Sequence, residues 1–554
     1  MAPPPPATAS AADDAHGHVG HVALNRIPHG APVHRRLDNP TLTATMPPMV
    51  VPMSLYAENR QKLCARLKKK LASTTFKRAI VLMEGGKEEY RYESDAEKIF
   101  RQESSFAYLF GVKEPGFYGT IDVESGKTTL YTPRLPVEYA VWMGKIQPPS
   151  HFKALYEVDE VMFVDELAKH LVGGKEGEAG DEVARPDLLL LNQGLNTDSG
   201  NMAKPAFVEG VTPSPPTAKE GGKKGGSVEC DYEMLYPELV ECRVFKSEAE
   251  LQVMQYVNDI SSDAHLAVMG QVKVGMTEYQ LESLFLHHGY FFGGCRHVAY
   301  TSICGCGPNA ATLHYGHAGA PNDRLIREGD MLLLDMGAEY KCYTSDITCS
   351  FPATGRFSAD QRMIFECVQA MQFAVLDALK PGVAWVDMHA LAYRVGLEKL
   401  VEGGLLKGGV EEMMKENLMS FFMPHGLGHF MGLDVHDVGG FPPSLGLKRD
   451  ERKGFKNLRT GRRMEVGMVI TVEPGVYFID LLMDELVGDE RVNKFVNVEM
   501  LESRFRGFGG VRLEDDVVIV EGGVRNMTRA PRTVEDVEAV MAGKITTKEE
   551  LFKK

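Results

Sequence analysis

No run of about eighteen apolar residues occurs anywhere in this 554-residue chain, so no membrane-crossing helix is expected. CxxC pairs are missing too. The nine cysteines (Cys64, Cys230, Cys242, Cys295, Cys304, Cys306, Cys342, Cys349 and Cys367) are scattered and odd in number. That usage argues against a disulfide scaffold and reads as mostly reduced core thiols of an intracellular, cytoplasmic protein. Cys304 and Cys306, in "CGC", are read as packing residues. Basic excess is absent: 61 Lys and Arg stand against 76 Asp and Glu, a net charge of −15. Nucleic-acid binding needs a basic footprint and is not expected. The N-terminal forty residues lack the apolar stretch of a secretory signal and carry little serine or arginine for a transit peptide. Residues 1–45, rich in Ala, Pro and His, are expected to be a disordered extension; their histidines His16, His18, His21, His29 and His34 belong to it.

What is present is ordinary globular usage, 44% apolar and 25% charged. At roughly 100–200 residues per domain, two or three domains are expected. Two stretches rich in Gly, Pro and charge, 173–186 and 210–227, read as loops, and the second makes a linker edge. One domain is therefore placed at 46–235 and another at 236–545. In the first, "RAIVLMEGG" and "DLLLLNQ" read as buried strands, and 116–135 as a hairpin around "ESGK". It shows no catalytic constellation. In the second, Ser247 with Glu250, Thr277 with Gln280 and Ser358 with Gln361 fit the helix-starting capping box. Leu251, Met254, Val257 and Ala264 then recur at helical spacing. Four β-like runs follow: "DMLLLDMGAEY", "KCYTSDITCSF", "GMVITVEPGVYF" and "GGVRLEDDVVIV". The pattern predicts an α+β fold, an antiparallel sheet with helices on one face.

Each of those runs carries an acid inside apolar sequence: Asp335, Asp346, Glu473 and Glu514. A buried carboxylate costs several kcal/mol unless it is paired or holds a metal. Taken singly, each reads as a hydrogen-bonded strand-end residue; four together, with the glycine-flanked histidines of "FFMPHGLGHFMGLDVHDVGG", point to a shared cation. Asp335 and Asp346 lie eleven apart, a spacing at which two adjacent antiparallel strands bring both to one place. Oxygen-rich ligands favour hard ions such as Mn²⁺ or Mg²⁺. Two such ions ~3.5–4 Å apart hold and deprotonate a bridging water. His425 and His429 are four apart, but two of the three residues between them are glycine, so a helical chelate is not expected. Strand alternation puts Asp515 opposite Glu514 and leaves Asp516 as a competitor on the same face.

The four runs and the histidine segment, in this order, resemble the pita-bread metallopeptidases, and within that family the branch acting on Xaa-Pro dipeptides. "RQESSFAYLFGVKEPGFYGTIDVESGKTTLYTPRLP" and "LHYGHAGAPNDR" extend the likeness, which runs from about residue 40 to 545. The resemblance implies a pita-bread (creatinase/aminopeptidase-like) catalytic domain behind a mixed α/β N-terminal domain. It implies two Mn²⁺ per subunit, with Co²⁺ or Zn²⁺ accepted by the same ligands: Asp335, Asp346, His429, Glu473 and Glu514. Asp346 and Glu514 would bridge the ions, and Glu473 would help deprotonate the attacking water. His314 and His436 would contact substrate and tetrahedral intermediate, Arg459 would take the dipeptide's carboxylate, and Arg512 would stand on the substrate side. By residue type alone Arg512 reads equally as a partner of the ligand carboxylates, Arg459 as a surface residue of "RTGRR", and His317 as a hydrogen-bonded structural histidine. His425 would orient the site by hydrogen bonds. A homodimer that recycles proline is implied. The rivals are an aminopeptidase P acting on longer peptides and a non-catalytic binding module. Arg459 and the roughly forty positions between Glu473 and Glu514 favour the dipeptidase branch.

Overall fold

The computed structural model describes residues 48–172, 186–213, 228–316 and 322–551. The extension 1–45, most of both loop insertions and His317 lie outside them. The N-terminal half is built on β1 (Ala79–Glu84), β2 (Tyr118–Asp122), β3 (Thr128–Thr132), β4 (Glu160–Phe163) and β5 (Leu188–Leu191), with a short ribbon of β6 (Gly194–Leu195) and β7 (Met202–Ala203), and then β8 (Glu229–Asp231). Six of these form one mixed sheet in the order β4-β3-β2-β1-β5-β8. The hairpin expected around "ESGK" is β2–β3, and β1 is flanked by antiparallel β2 and parallel β5. Continuous apolar runs in β1 and β5 fit strands covered on both faces. One cover is α1 (Ser54–Leu71), which buries Leu55, Leu63 and Leu67 completely. Each such leucine contributes about 1.5–3 kcal/mol.

The C-terminal half opens with α2 (Leu235–Val244), α3 (Glu248–Met269) and α4 (Glu278–Gly293), and later adds α5 (Ala359–Ala378) and α6 (Trp385–Glu402). Reciprocal capping boxes start α3 and α5 at Ser247 and Ser358. At the start of α4 only half of the box forms, Gln280 Oε1 accepting the Thr277 N–H at 2.9 Å while Thr277 Oγ1 has no partner among the described residues. Helix α5 ends just ahead of the "KPG" at 380–382, where Pro381 offers no N–H to continue it. Beyond its first turn, helix α3 is buried except along the stripe Gln252, Gln255, Asp259 and Asp263. Leu251, Met254 and Val257 join a core shared with α1, α2 and β1, while Ala264, Leu266 and Val268 face the larger core of the C-terminal half. The two halves are thus packed along one helix.

The strands here are β9 (His297–Val298), β10 (Ile303–Cys306), β11 (Met331–Asp335), β12 (Ala338–Tyr340), β13 (Tyr343–Thr344), β14 (Thr348–Pro352), β15 (Val469–Val472), β16 (Gly475–Tyr477), β17 (Gly510–Arg512), β18 (Asp515–Val520) and β19 (Gly523–Asn526). All pair antiparallel, in the orders β10-β11-β14, β13-β12-β9, β15-β18-β19 and β16-β17. The sequence led to four continuous runs; the structure breaks each in two, and each break falls at an acid. Asp335 ends β11, Asp346 lies between β13 and β14, Glu473 between β15 and β16, and Glu514 between β17 and β18. At a break the chain passes from one small sheet to another, and the carboxylate is freed from strand alternation to point into the space between sheets.

Candidate metal centre

The four acids are brought together by backbone pairing across these breaks. Asp335 is in register with Thr348 of β14, two residues after Asp346. The Glu514 N–H donates to the Thr348 carbonyl at 3.2 Å, and the Glu473 N–H to the Leu427 carbonyl at 2.9 Å. Residues 423–429 form neither helix nor strand. His429 is instead held by β15: its N–H donates to Thr471 Oγ1 at 3.1 Å, and its carbonyl accepts from the Thr471 N–H at 3.0 Å. Gly428 is required by this approach, because a Cβ there would lie 2.0 Å from the Thr471 carbonyl oxygen.

Ligand atoms of Asp346, His429 and Glu514 lie within 4.8 Å of one another. His429 Nε2 is 3.3 Å from Asp346 Oδ2 and 3.6 Å from Glu473 Oε1. Its Nδ1 bonds the Phe430 carbonyl at 3.1 Å, so Nδ1 carries the proton and the Nε2 lone pair is left for a metal. Asp335 adjoins Asp346 through Tyr300, whose hydroxyl reaches Asp335 Oδ1 at 2.5 Å and Asp346 Oδ1 at 2.6 Å. Burial first, and then neighbouring carboxylates, push Asp346 and Glu514 well above the usual carboxylate range. Burial likewise raises Glu473, although His429 and Arg512 oppose it.

Arg512 is the cation packed against these acids. It is buried and donates to Asp335, to Thr348 Oγ1 at 2.9 Å and to Tyr477 Oη at 2.9 Å, with Glu514 at 3.8 Å from its Nε. One guanidinium does not neutralise four carboxylates. The donor set of four carboxylates and one unprotonated imidazole nitrogen therefore fits divalent cations.

All nine residues singled out from the sequence (His314, Asp335, Asp346, His429, His436, Arg459, Glu473, Arg512 and Glu514) line one cavity of about 760 Å³. His436 is half-buried, its ring centroid 4.4 Å from that of His429. Burial and then His429 hold it down to about 2, so it is a neutral imidazole. His314 lies exposed at the cavity's edge. His425 accepts from Tyr477 Oη at 3.0 Å and is held to about 3 by burial and Arg512. Arg512, Tyr477 and His425 thus form a hydrogen-bonded row along one wall. Asp516 accepts the Asp346 N–H at 2.9 Å, and so holds the Asp346 backbone. Asp515 turns away to Arg532 and Asn526.

Four contributors were not picked out from the sequence. Thr348 donates to Glu514 Oε2 at 2.6 Å and lies two residues beyond Asp346, so alternation offered a signal. Tyr477, four beyond Glu473, offered a weaker one. Tyr300 and Asp198 carried none; Asp198 belongs to the N-terminal half and pairs with Arg459 at 2.8 Å.

With this geometry in view, residues 252–521 match the family model described as metallopeptidase family M24, and residues 56–179 that described as the aminopeptidase P N-terminal domain. The chain is 52% identical over 493 residues to the Xaa-Pro dipeptidase of Homo sapiens, covering 89% of this chain and 94% of that protein. The solved aminopeptidase PepP of Pseudomonas aeruginosa superposes with a TM-score of 0.67 at 30% identity, covering 90% of this chain and 99% of that one. Zn-substituted aminopeptidase P of E. coli, in complex with product, gives a TM-score of 0.67 at 27% identity and covers 90% and 100% of the two chains.

Proposed function

Because this chain belongs to metallopeptidase family M24, we propose that its cavity hydrolyses dipeptides ending in proline, or hydroxyproline, and so recycles the imino acid. The observation that carries the reading is the pairing, in one cavity, of a five-ligand acidic cluster with a guanidinium, Arg459, placed to take a carboxylate. The half-identical Xaa-Pro dipeptidase favours a dipeptide over a longer substrate.

In this proposal Asp335, Asp346, His429, Glu473 and Glu514 hold two divalent ions. Mn²⁺ suits the oxygen-rich set, and Co²⁺ or Zn²⁺ fit the same donors. Such ions, when bound, supply Lewis acidity and make water acidic enough to react near neutral pH. The chain does the rest. Arg459 forks onto the substrate's terminal carboxylate, which in a dipeptide lies beside the proline ring. The scissile nitrogen has no N–H, so recognition through that hydrogen is impossible and the carbonyl must be addressed instead. His436, a neutral donor, and His314 stand where the developing oxyanion needs hydrogen bonds. Glu473 accepts the proton of the attacking water and passes it to the leaving nitrogen. His425 and Tyr477 hold Arg512 in line through the Tyr477 hydroxyl, which accepts from Arg512 Nη1 at 2.9 Å and donates to His425 Nε2 at 3.0 Å. A homodimer, a cytoplasmic location and the division at 235/236 belong to the same proposal. The nine free cysteines accord with a reducing compartment.

The test offers the purified protein, with Mn²⁺, Gly-Pro and a Gly-Pro-Xaa tripeptide side by side. Turnover of the dipeptide is expected. Preference for the tripeptide would refute the reading in favour of an aminopeptidase P, and bound metal without turnover of either would leave a binding module.

A further inference from the structure

Among the described residues, the N-terminal half reaches the cavity through a single carboxylate, that of Asp198. Ribbon β6–β7 turns at Asn196–Asn201, a turn closed by the Asn196 N–H on the Asn201 carbonyl at 2.9 Å and by the Gly200 N–H on the Asn196 carbonyl at 2.9 Å. Asn196 Oδ1 accepts the Asp198 N–H at 2.9 Å. This local network aims Asp198 out of its own half and into the cavity wall. Its side chain is only 6% exposed, and Oδ1 receives Arg459 Nη1 at 2.8 Å. A second tie fixes the same turn to the same segment: Arg449 donates Nη2 to the Thr197 carbonyl at 2.8 Å and Nη1 to the Leu458 carbonyl at 2.6 Å, one residue before Arg459.

The contact uses one oxygen and one nitrogen. Asp198 Oδ2 has no hydrogen-bond partner among the described residues, and none of them accepts from Arg459 Nε or Nη2. A guanidinium offers two edges that match a carboxylate, the Nη1–Nη2 end and the Nε–Nη2 side. Asp198 occupies Nη1 and so closes the first while leaving the second without an acceptor among the described residues.

We propose that Asp198 is a positioning residue for dipeptide selectivity: it fixes Arg459 by Nη1, so that the Nε–Nη2 edge is presented at the one distance from the metal centre that suits the carboxylate of a two-residue substrate. The proposal rests on the carboxylate-capture reading of Arg459. It assigns the N-terminal half a direct part in substrate choice.

The experiment compares Gly-Pro with Gly-Pro-amide, which lacks the carboxylate, in the full-length Mn²⁺ protein. In Asp198→Ala the preference for Gly-Pro over its amide is expected to fall about tenfold, through KM rather than kcat, as for the loss of one charge-assisted hydrogen bond. Asp198→Asn, which keeps an acceptor for Nη1, should recover part of that preference. Added to Arg459→Ala, Asp198→Ala should lower the preference no further. Equal losses on both substrates, an unchanged preference, or a lowered KM for Gly-Pro, which would make Asp198 a competitor of substrate, would each overturn the proposal. Arg459→Ala separates the two readings. If that variant still prefers Gly-Pro over the amide as the unaltered protein does, carboxylate capture fails; if it loses the preference and Asp198→Ala keeps it, only the role of Asp198 falls.

Discussion

His389 is fully buried between Tyr393 and Phe455, with ring centroids 4.2 and 4.6 Å away, and neither of its nitrogens meets a partner among the described residues. Burial, reinforced by His425, holds it down to about 3. A folded pKa below the unfolded one stabilises the fold above about 6.5, and that stability drains away as pH falls toward the folded value. At pH 5 this single ring costs about 2 kcal/mol relative to pH 7. His389→Phe should therefore narrow the gap between unfolding free energies at pH 7 and pH 5 by about that amount in denaturant titrations; an unchanged gap would show that the ring is not desolvated as described. At this scale the four acids of the cavity were legible, because an acid inside an apolar run is costly wherever it lies. Tyr300 and Asp198 were not: a tyrosine near a strand and an aspartate in an Asn-Thr-Asp turn look alike whether they serve a site or solvent.

Elements explain why the acids converge. Each of the four acid-bearing strand runs is interrupted at its acid, and the loop carrying His429 is pressed onto β15 at Gly428. Gly428→Ala puts a methyl 2.0 Å from a backbone oxygen that cannot move without its strand. Loss of about 1–3 kcal/mol of stability is expected, together with lower metal content by elemental analysis; a variant that keeps full metal occupancy would show that the loop can yield. The helix starts were legible because a capping box is local, complete within four residues. The interruptions were not, since they depend on which distant strand each fragment pairs with, and an apolar run reads the same whether it serves one sheet or two.

At the scale of the whole molecule the two halves share a core through α1, α2 and α3. They are tied again by Arg101, which reaches Glu339 at 2.7 Å and Asp434 at 3.3 Å. Ions held by the folded chain alone stabilise it by about 2.7 kcal/mol when present at a hundredfold excess over Kd. Calorimetry should then show one cooperative transition that moves down as a whole when a chelator strips the metal. Two separate transitions, only one of them shifting, would mean that the halves are thermodynamically independent.

The acids that share the cavity are far apart along the chain: Glu514 follows Asp335 by 179 positions. At a synthesis rate of about 5–20 residues per second, roughly 9 to 36 s pass between their appearances. For most of that interval Asp335 and Asp346 exist without Glu473 and Glu514, and until its last two positions without Arg512, the cation packed against them. The centre is thus a late event in the life of each new chain, and the supply of ions matters at release from the ribosome rather than while the N-terminal half is taking shape.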